Sequence, residues 1–469
     1  MYSQSGQDIF VSQLLNKENG TFLDIGAGHP ITINNTYLLE TKYNWKGSSI
    51  DMNSEYIQLW KDNRSNPFTC SDALTLNYEE FMKENFKDNV IDYLSLDIDN
   101  KYVDVLTSIP FDKYKFRVIT IEHDYYIHGD VFRKGEREFL QKRGYYLLCS
   151  NVKNAGNMYE DWWIHPDLVE DYKYLTCDSE EYTDILKRMN EISLLIFSKD
   201  RAMQLHALLQ SIETRCNGVY DNINILYTYS NFEFQQGYDL LINRFHKYNF
   251  IKEKNFEKDV REYLKNTNTK FISFLVDDVL FFKPLDKEKI TSFLNRPDTI
   301  SFIPGVGTNT KFSNTASVEF VLPEMEVDNG LYIWNWKIAK NQGEFSCPLM
   351  VVGNIFNTTV FNKLFSKIKI GFHNPNFFEE LLQFILQNQY KKLIPRLCAC
   401  FKNSCLVHSA NNTVQTTHPN NFGQVFLLTP KDLNSKYLNG MIIDIKGYQF
   451  DNITGMHHEL DYRFKHYNN

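Results

Sequence analysis

The stretch Thr21-Phe22-Leu23-Asp24-Ile25-Gly26-Ala27-Gly28 constrains the first half of this chain more than any other. Phe22, Leu23 and Ile25 form a short apolar run of strand-forming types, and a glycine pair follows at once. A buried parallel strand that turns sharply into a helix has this pattern. Gly26 and Gly28 let the backbone bend tightly and let a ligand approach with no Cβ in the way. Asp24 is placed at the carboxyl end of the strand, where open α/β sheets take their ligands. A second acid, Asp51, ends the next strand-like run about 20 residues after the turn, the offset at which an acid grips ribose hydroxyls. The third glycine of G-x-G-x-x-G is missing, and Pro30 follows instead. The pattern points to an adenosine-type cofactor.

The spacing predicts a helix over 7–15, helices starting near 34 and over 55–61, and strand ends near Asp72, Asp97 and Glu122, with a further strand over 145–149. Strands alternating with helices imply a parallel sheet with right-handed crossovers. The acids Asp24, Asp51, Asp72, Asp97, Asp99 and Glu122 then line one edge of it. Capping explains one such acid, not six in order.

These residues resemble the FkbM family of S-adenosylmethionine-dependent methyltransferases. The matching stretches are Tyr2-Ser3-Gln4-x-Gly6-Gln7-Asp8, Phe22-Leu23-Asp24-Ile25-Gly26-Ala27, Asn34-Asn35-Thr36-x-x-Leu39-Glu40, Trp45-x-Gly47-x-x-Ile50-Asp51-x-Asn53 and Leu94-Ser95-Leu96-Asp97-Ile98-Asp99, with Glu160-Asp161-Trp162-Trp163 as a closing segment. The resemblance covers residues 1 to about 185. It implies a Rossmann-like fold, S-adenosylmethionine as cofactor, cofactor contact by Asp24, Gly26 and Ala27, ribose contact by Asp51 and adenine contact by Asp72. Asp99-Asn100-Lys101 departs from the family's usual Glu-Gly-x-Glu. Methyl transfer to a sugar hydroxyl gains from a base. His123 and Asp97 are the candidates, with Glu122 orienting His123, and a purely structural histidine is the alternative. Trp162 and Trp163 are core residues or a platform for a sugar ring.

Residues 175–190 are polar and charged and read as a connecting helix or linker. A fresh apolar strand starts at Ile192, so the expected domains are 1–188 and 189–469. In the second, Ser198-Lys199-Asp200-Arg201 follows the strand as a loop, and an amphipathic helix runs over 202–214 with Leu205, Leu208, Leu209 and Ile212 on one side. A later run, 271–276, stops at Asp277-Asp278, and apolar residues resume with Val279. Paired acids among apolar neighbours need neutralising. A divalent cation, Mn²⁺ or Mg²⁺, completed by a diphosphate is the natural partner.

The second half is similar to bacterial and viral GT-A glycosyltransferases. Ser198-Lys199-Asp200-Arg201-x-x-Gln204-Leu205 resembles their nucleotide-binding opening, and Pro348-Leu349-x-x-x-Gly353-x-Ile355-Phe356 their acceptor loop. Asn374-Pro375-Asn376-x-x-Glu379 resembles a segment that supplies a catalytic carboxylate. His408 with Asn411-Asn412-x-Val414-Gln415 resembles the late segment whose histidine completes metal binding. The resemblance implies a nucleotide-sugar held by Ser198, Lys199, Arg201 and Asp277, and a cation on Asp277, Asp278 and His408. Glu379 is the first candidate base and Glu380 the second; in a helix they face different ways. Val279 and Val352 stand where the family often has acid or polar residues. His457, His458 and His466 read as an ordinary surface tail.

With a net charge of −8 and a pI of about 5.9, the chain lacks the basic face that nucleic acid requires. Eight scattered cysteines read as reduced thiols of a cytoplasmic protein. The opening residues do not read as a signal peptide, and no apolar run approaches the roughly 18 residues of a membrane span, so any membrane association would be peripheral. The expectation is an α/β enzyme that both methylates and extends a surface glycan or glycolipid. A second reading makes the C-terminal half a glycan-binding module, and a third makes the chain a structural protein with no nucleotide affinity.

Overall fold

The computed structural model describes residues 1–98, 101–170, 172–313, 318–409, 411, 428–448, 450 and 453–467. It is mixed α/β and divides into two compact units, Met1–Asn190 and Glu191–Asn469. The expected boundary at 188 falls just short of that division. The segment read as a linker forms a short strand, Cys177–Asp178, and a helix, Tyr182–Arg188, and its Ile185 and Met189 pack into the core of the first unit with Phe10 and Trp162.

The first unit is built on eight strands: β1 (Thr21–Ile25), β2 (Lys46–Asp51), β3 (Phe68–Cys70), β4 (Val90–Leu96), β5 (Lys115–Glu122), β6 (Tyr146–Asn154), β7 (Asn157–Ile164) and β8 (Cys177–Asp178). They lie in the order β3-β2-β1-β4-β5-β7-β6-β8. β1 to β5 run parallel, and β7 enters antiparallel between β5 and β6. Side chains alternate between the faces of a strand, so buried strands feed two cores. Leu23, Ile25, Leu94, Leu96, Ile119, Ile121 and Trp163 fill one layer. Phe22, Tyr93, Val118, Trp162 and Ile164 fill the other. Trp162 stacks on Phe10 with ring centroids 4.2 Å apart, and both tryptophans are fully buried. They are core residues, and neither is open to a sugar. Each such burial contributes roughly 1.5–3 kcal/mol.

The second unit opens with β9 (Ile192–Lys199), β10 (Asn222–Thr228), β11 (Asn249–Lys252) and β12 (Phe271–Val276), followed by β13 (Val279–Phe281) and β14 (Thr299–Phe302). Short strands β15 (Phe312–Ser313), β16 (Val318–Glu319) and β17 (Glu326–Asp328) precede β18 (Leu331–Asn335), β19 (Ile355–Asn357), β20 (Leu397–Phe401) and β21 (Leu406–Ser409). β22 (Met441–Ile443), β23 (His457–His458) and β24 (Phe464–His466) complete the set. The main sheet has the order β11-β10-β9-β12-β19-β14-β20-β18-β17, with β9 to β12 parallel and β19 antiparallel. A small sheet, β13-β21-β23, explains why apolar residues resume straight after Asp278. There Val279 pairs with His408, and His408 with His457.

Candidate functional site

In the first unit the carboxyl ends of β1 to β5 share one edge, and Asp24, Asp51, Asp72, Asp97 and Glu122 occur there. Asp99 lies outside the described residues. Asp24 is 1% exposed and turns inward, accepting a 2.8 Å bond from Thr36 Oγ1. Burial raises its pKa to about 6, with Thr36 and Arg64 pulling the other way. The N–H groups of Gly26 and Ala27 both donate to Ile50 O, at 2.9 and 3.0 Å, which locks the turn onto β2. Gly26 has a φ of +79°, and a Cβ there would stand 1.7 Å from Asp97 O. At Gly28, φ is +56° and a Cβ would meet open space. Asp51 is half-buried; its Oδ2 accepts from Gly28 N and its Oδ1 from Asn53 N, each at 2.8 Å. Asp72 is exposed and accepts from Leu74 N at 2.9 Å.

Glu122 lies beside Asp97, and Tyr102 Oη donates to Glu122 Oε2 at 3.3 Å. Burial, then Asp97, drives the Glu122 pKa far up, so Glu122 holds a proton that Asp97 can receive. Glu122 therefore serves Asp97 and not His123, contrary to the expectation. His123 is fully buried. Its Nδ1 accepts from Tyr125 N at 3.2 Å, and its Nε2 stands 3.4 Å from Asp161 Oδ1. Asp161 is itself clamped by Arg137, whose Nε and Nη2 approach its two oxygens at 2.6 and 2.8 Å. With both ring nitrogens facing protein, His123 is not open to an incoming hydroxyl. Glu136 completes a buried group with His123 and Asp161 whose ligand-type atoms lie within 4.8 Å of one another. The bond from Tyr125 N–H occupies Nδ1, so only Nε2 of His123 faces that group.

In the second unit β9 ends on Ser198 and Lys199 beside the end of β12. Asp277 Oδ2 accepts from Ser198 Oγ at 2.9 Å and from Lys199 N at 3.1 Å. Lys199's own side chain is exposed. Arg201 Nη1 spans the acid pair, 3.1 Å from Asp277 Oδ1 and 2.7 Å from Asp278 Oδ2. Asp200, at φ +58°, caps Ser230 through both carboxylate oxygens. His408 Nε2 stands 2.9 Å from Asp278 Oδ1, and His408 Nδ1 stands 2.6 Å from His457 Nδ1. Burial works against charge on Asp278, but His408 and Arg201 more than offset it and hold its pKa well below the usual carboxylate range. Burial likewise opposes charge on His408, and Asp278 reverses this and raises its pKa. Asp277 shifts upward, chiefly by burial and then by Asp278, against Arg201.

Glu379 projects from the helix Pro375–Ile385, whose Phe378, Leu381, Leu382 and Ile385 are buried. Its Oε2 accepts from Val351 N at 2.7 Å, which joins the expected base to the expected acceptor loop. Burial raises its pKa, tempered by Val351 N–H and by the charge of His408. Glu380 is exposed. Gly353, at φ +89°, has no room for a Cβ, which would fall 2.5 Å from Leu406. Asn411 bonds the backbone at Leu460, while Asn412, Val414 and Gln415 lie outside the described residues. His457 was invisible to sequence reasoning, because only the β21–β23 pairing carries it to His408. A cleft of about 470 Å³ past the end of β11 is lined by Glu253, Lys254, Asn255, Phe256, Phe372 and His373.

No family model matches the chain. Over 212 residues it is 27% identical to the bifunctional glycosyltransferase pgtA of Dictyostelium discoideum, a match covering 40% of this chain and 28% of that protein. The chain thus spans less than a third of that relative's length. Among solved structures, S. aureus TarS is similar over 46% of this chain and 36% of its own, at 12% identity and a TM-score of 0.29. A putative rRNA methylase from Clostridium thermocellum is similar over 35% of this chain and 98% of its own, at 11% identity and a TM-score of 0.24. Scores this low carry no argument, and the α/β architecture rests on the coordinates.

Proposed function

We propose that the chain is a two-site transferase of glycan assembly: a sugar O-methyltransferase in its first unit and a nucleotide-sugar glycosyltransferase in its second. The observation that carries this is the same in both units, namely acids gathered where parallel strands end beside a backbone turn. In the first, the open space at Gly28 next to the Asp51 carboxylate suits a nucleoside with ribose hydroxyls. S-adenosylmethionine, when bound there, would supply an activated methyl on its own sulfonium leaving group. The protein's part is to hold the acceptor and take its proton. Asp97 is the proposed base, with protonated Glu122 as its partner.

In the second unit Asp278 and His408 offer a divalent cation two adjacent ligand atoms, whereas the expected Asp277 has both oxygens taken by Ser198, Lys199 and Arg201. Asp278 Oδ1 is buried and stands 2.9 Å from His408 Nε2. A carboxylate with an imidazole suits Mn²⁺ or a similar ion, which would neutralise a departing diphosphate. Arg201 and Lys199 add positive charge for the phosphates, and Glu379 is placed to deprotonate an acceptor hydroxyl near Val351. The pgtA match favours a sugar donor and a glycan acceptor. Among the described residues no helix is long and apolar enough to cross a membrane.

One observation favours the glycan-binding reading of the second unit: Arg201 and His408 already set positive groups against the acid pair. Thermal shifts with S-adenosylhomocysteine, and separately with UDP or GDP plus Mn²⁺, test the proposal. Stabilisation by each ligand is expected, and the nucleotide shift should vanish in Asp278→Asn. Absence of both shifts overturns it. A sugar-panel shift with no nucleotide shift selects the binding module.

A further inference from the structure

The paired histidines of the small sheet carry an inference beyond the acid pair itself. It rests on reading Asp278 and His408 as cation ligands. His408 Nδ1 and His457 Nδ1 stand 2.6 Å apart, which requires one proton between them. On its other side His408 Nε2 faces Asp278 Oδ1 at 2.9 Å. If a cation sits against Asp278, Nε2 must offer its lone pair, and the ring hydrogen is then on Nδ1. With the cation in place, His408 Nδ1 is therefore the donor and His457 Nδ1 the acceptor.

We propose that His457 is a positioning residue, whose Nδ1 accepts the His408 Nδ1–H and so keeps His408 Nε2 aimed at Asp278. The backbone makes this durable. His408 lies between Val279 on one neighbouring strand and His457 on the other, so the ring that must point at Asp278 is set by β-sheet register and not by a mobile loop. Partners of this kind orient metal-binding histidines and fix their tautomer.

The test uses the full chain labelled with ¹⁵N-histidine, with His408 assigned by comparison with His408→Gln. Two-bond nitrogen–proton correlations should show His408 Nδ1 protonated in the Mg²⁺-loaded wild type. Mn²⁺ titration followed by electron paramagnetic resonance should then show a 10- to 100-fold loss of affinity in His457→Phe. His457→Asn, whose amide oxygen can stand where Nδ1 stands, should restore most of it. An unprotonated His408 Nδ1 in the Mg²⁺-loaded wild type overturns the proposal, as does unchanged Mn²⁺ affinity in His457→Phe. If the wild type binds no Mn²⁺, the cation reading itself fails, whereas equal binding by the wild type and His457→Phe overturns only the role of His457.

Discussion

The two units solve one electrostatic problem in opposite ways. Each gathers carboxylates where parallel strands end, and each must keep them from repelling. The first unit uses protons: burial pushes Glu122 far up, and Glu160, held by Trp162 Nε1 at 2.6 Å, rises to about 8. The second uses side-chain cations: Arg201 and His408 close on Asp277 and Asp278, and Asp278 stays charged. Proton sharing suits a site that must accept a proton from a hydroxyl. Resident cations suit a site for a polyanion, which can take over the same positive groups.

The comparison is broken most directly at Arg201. Arg201→Ala strands two buried carboxylates, and calorimetry should show the second unit losing about 3–5 kcal/mol. A loss below about 1 kcal/mol would mean that water already solvates the pair. A smaller effect is expected from Gly26→Ala, which forces a side chain into a left-handed φ and against Asp97 O. The cost is at least about 2 kcal/mol. The first unit should melt earlier and bind S-adenosylhomocysteine more weakly, with the second unit's melt unmoved.

The finest test is the pH profile of the first unit. The folded pKa of Glu160 lies at about 8, above its ordinary 4.5. Its contribution to stability is therefore complete below about pH 4.5 and is lost as pH rises through 8. Stability should fall across that window with a slope of up to about 1.4 kcal/mol per pH unit. Glu160→Gln should flatten this fall in melts recorded from pH 5 to 9. An unchanged slope would show that Glu160 is ionised when folded.

Much of this was legible in the residues. The helix Gln7–Leu15 and the strands Thr21–Ile25 and Phe271–Val276 fall where periodicity and punctuation place them, because their apolar residues answer to local rules. β7 was missed as a strand, since its neighbours are chosen by the sheet and not by its own sequence. The same holds for the site. Asp277, Asp278 and Ser198 announce themselves at strand ends, whereas Arg201 as counter-ion, His457 as partner and the inward turn of His123 depend on contacts distant in sequence. Glu122 was assigned to the adjacent His123, but a strand sends successive side chains to opposite faces, and Glu122 meets Tyr102.

The small sheet β13-β21-β23 also bears on how the protein is made. A nascent chain that has left the ribosome as far as β13 already holds Asp277, Asp278 and Arg201, but neither His408 nor His457. Until β21 and β23 are synthesised, the pair must rely on Arg201 and solvent, so this centre is completed only after β23 has followed.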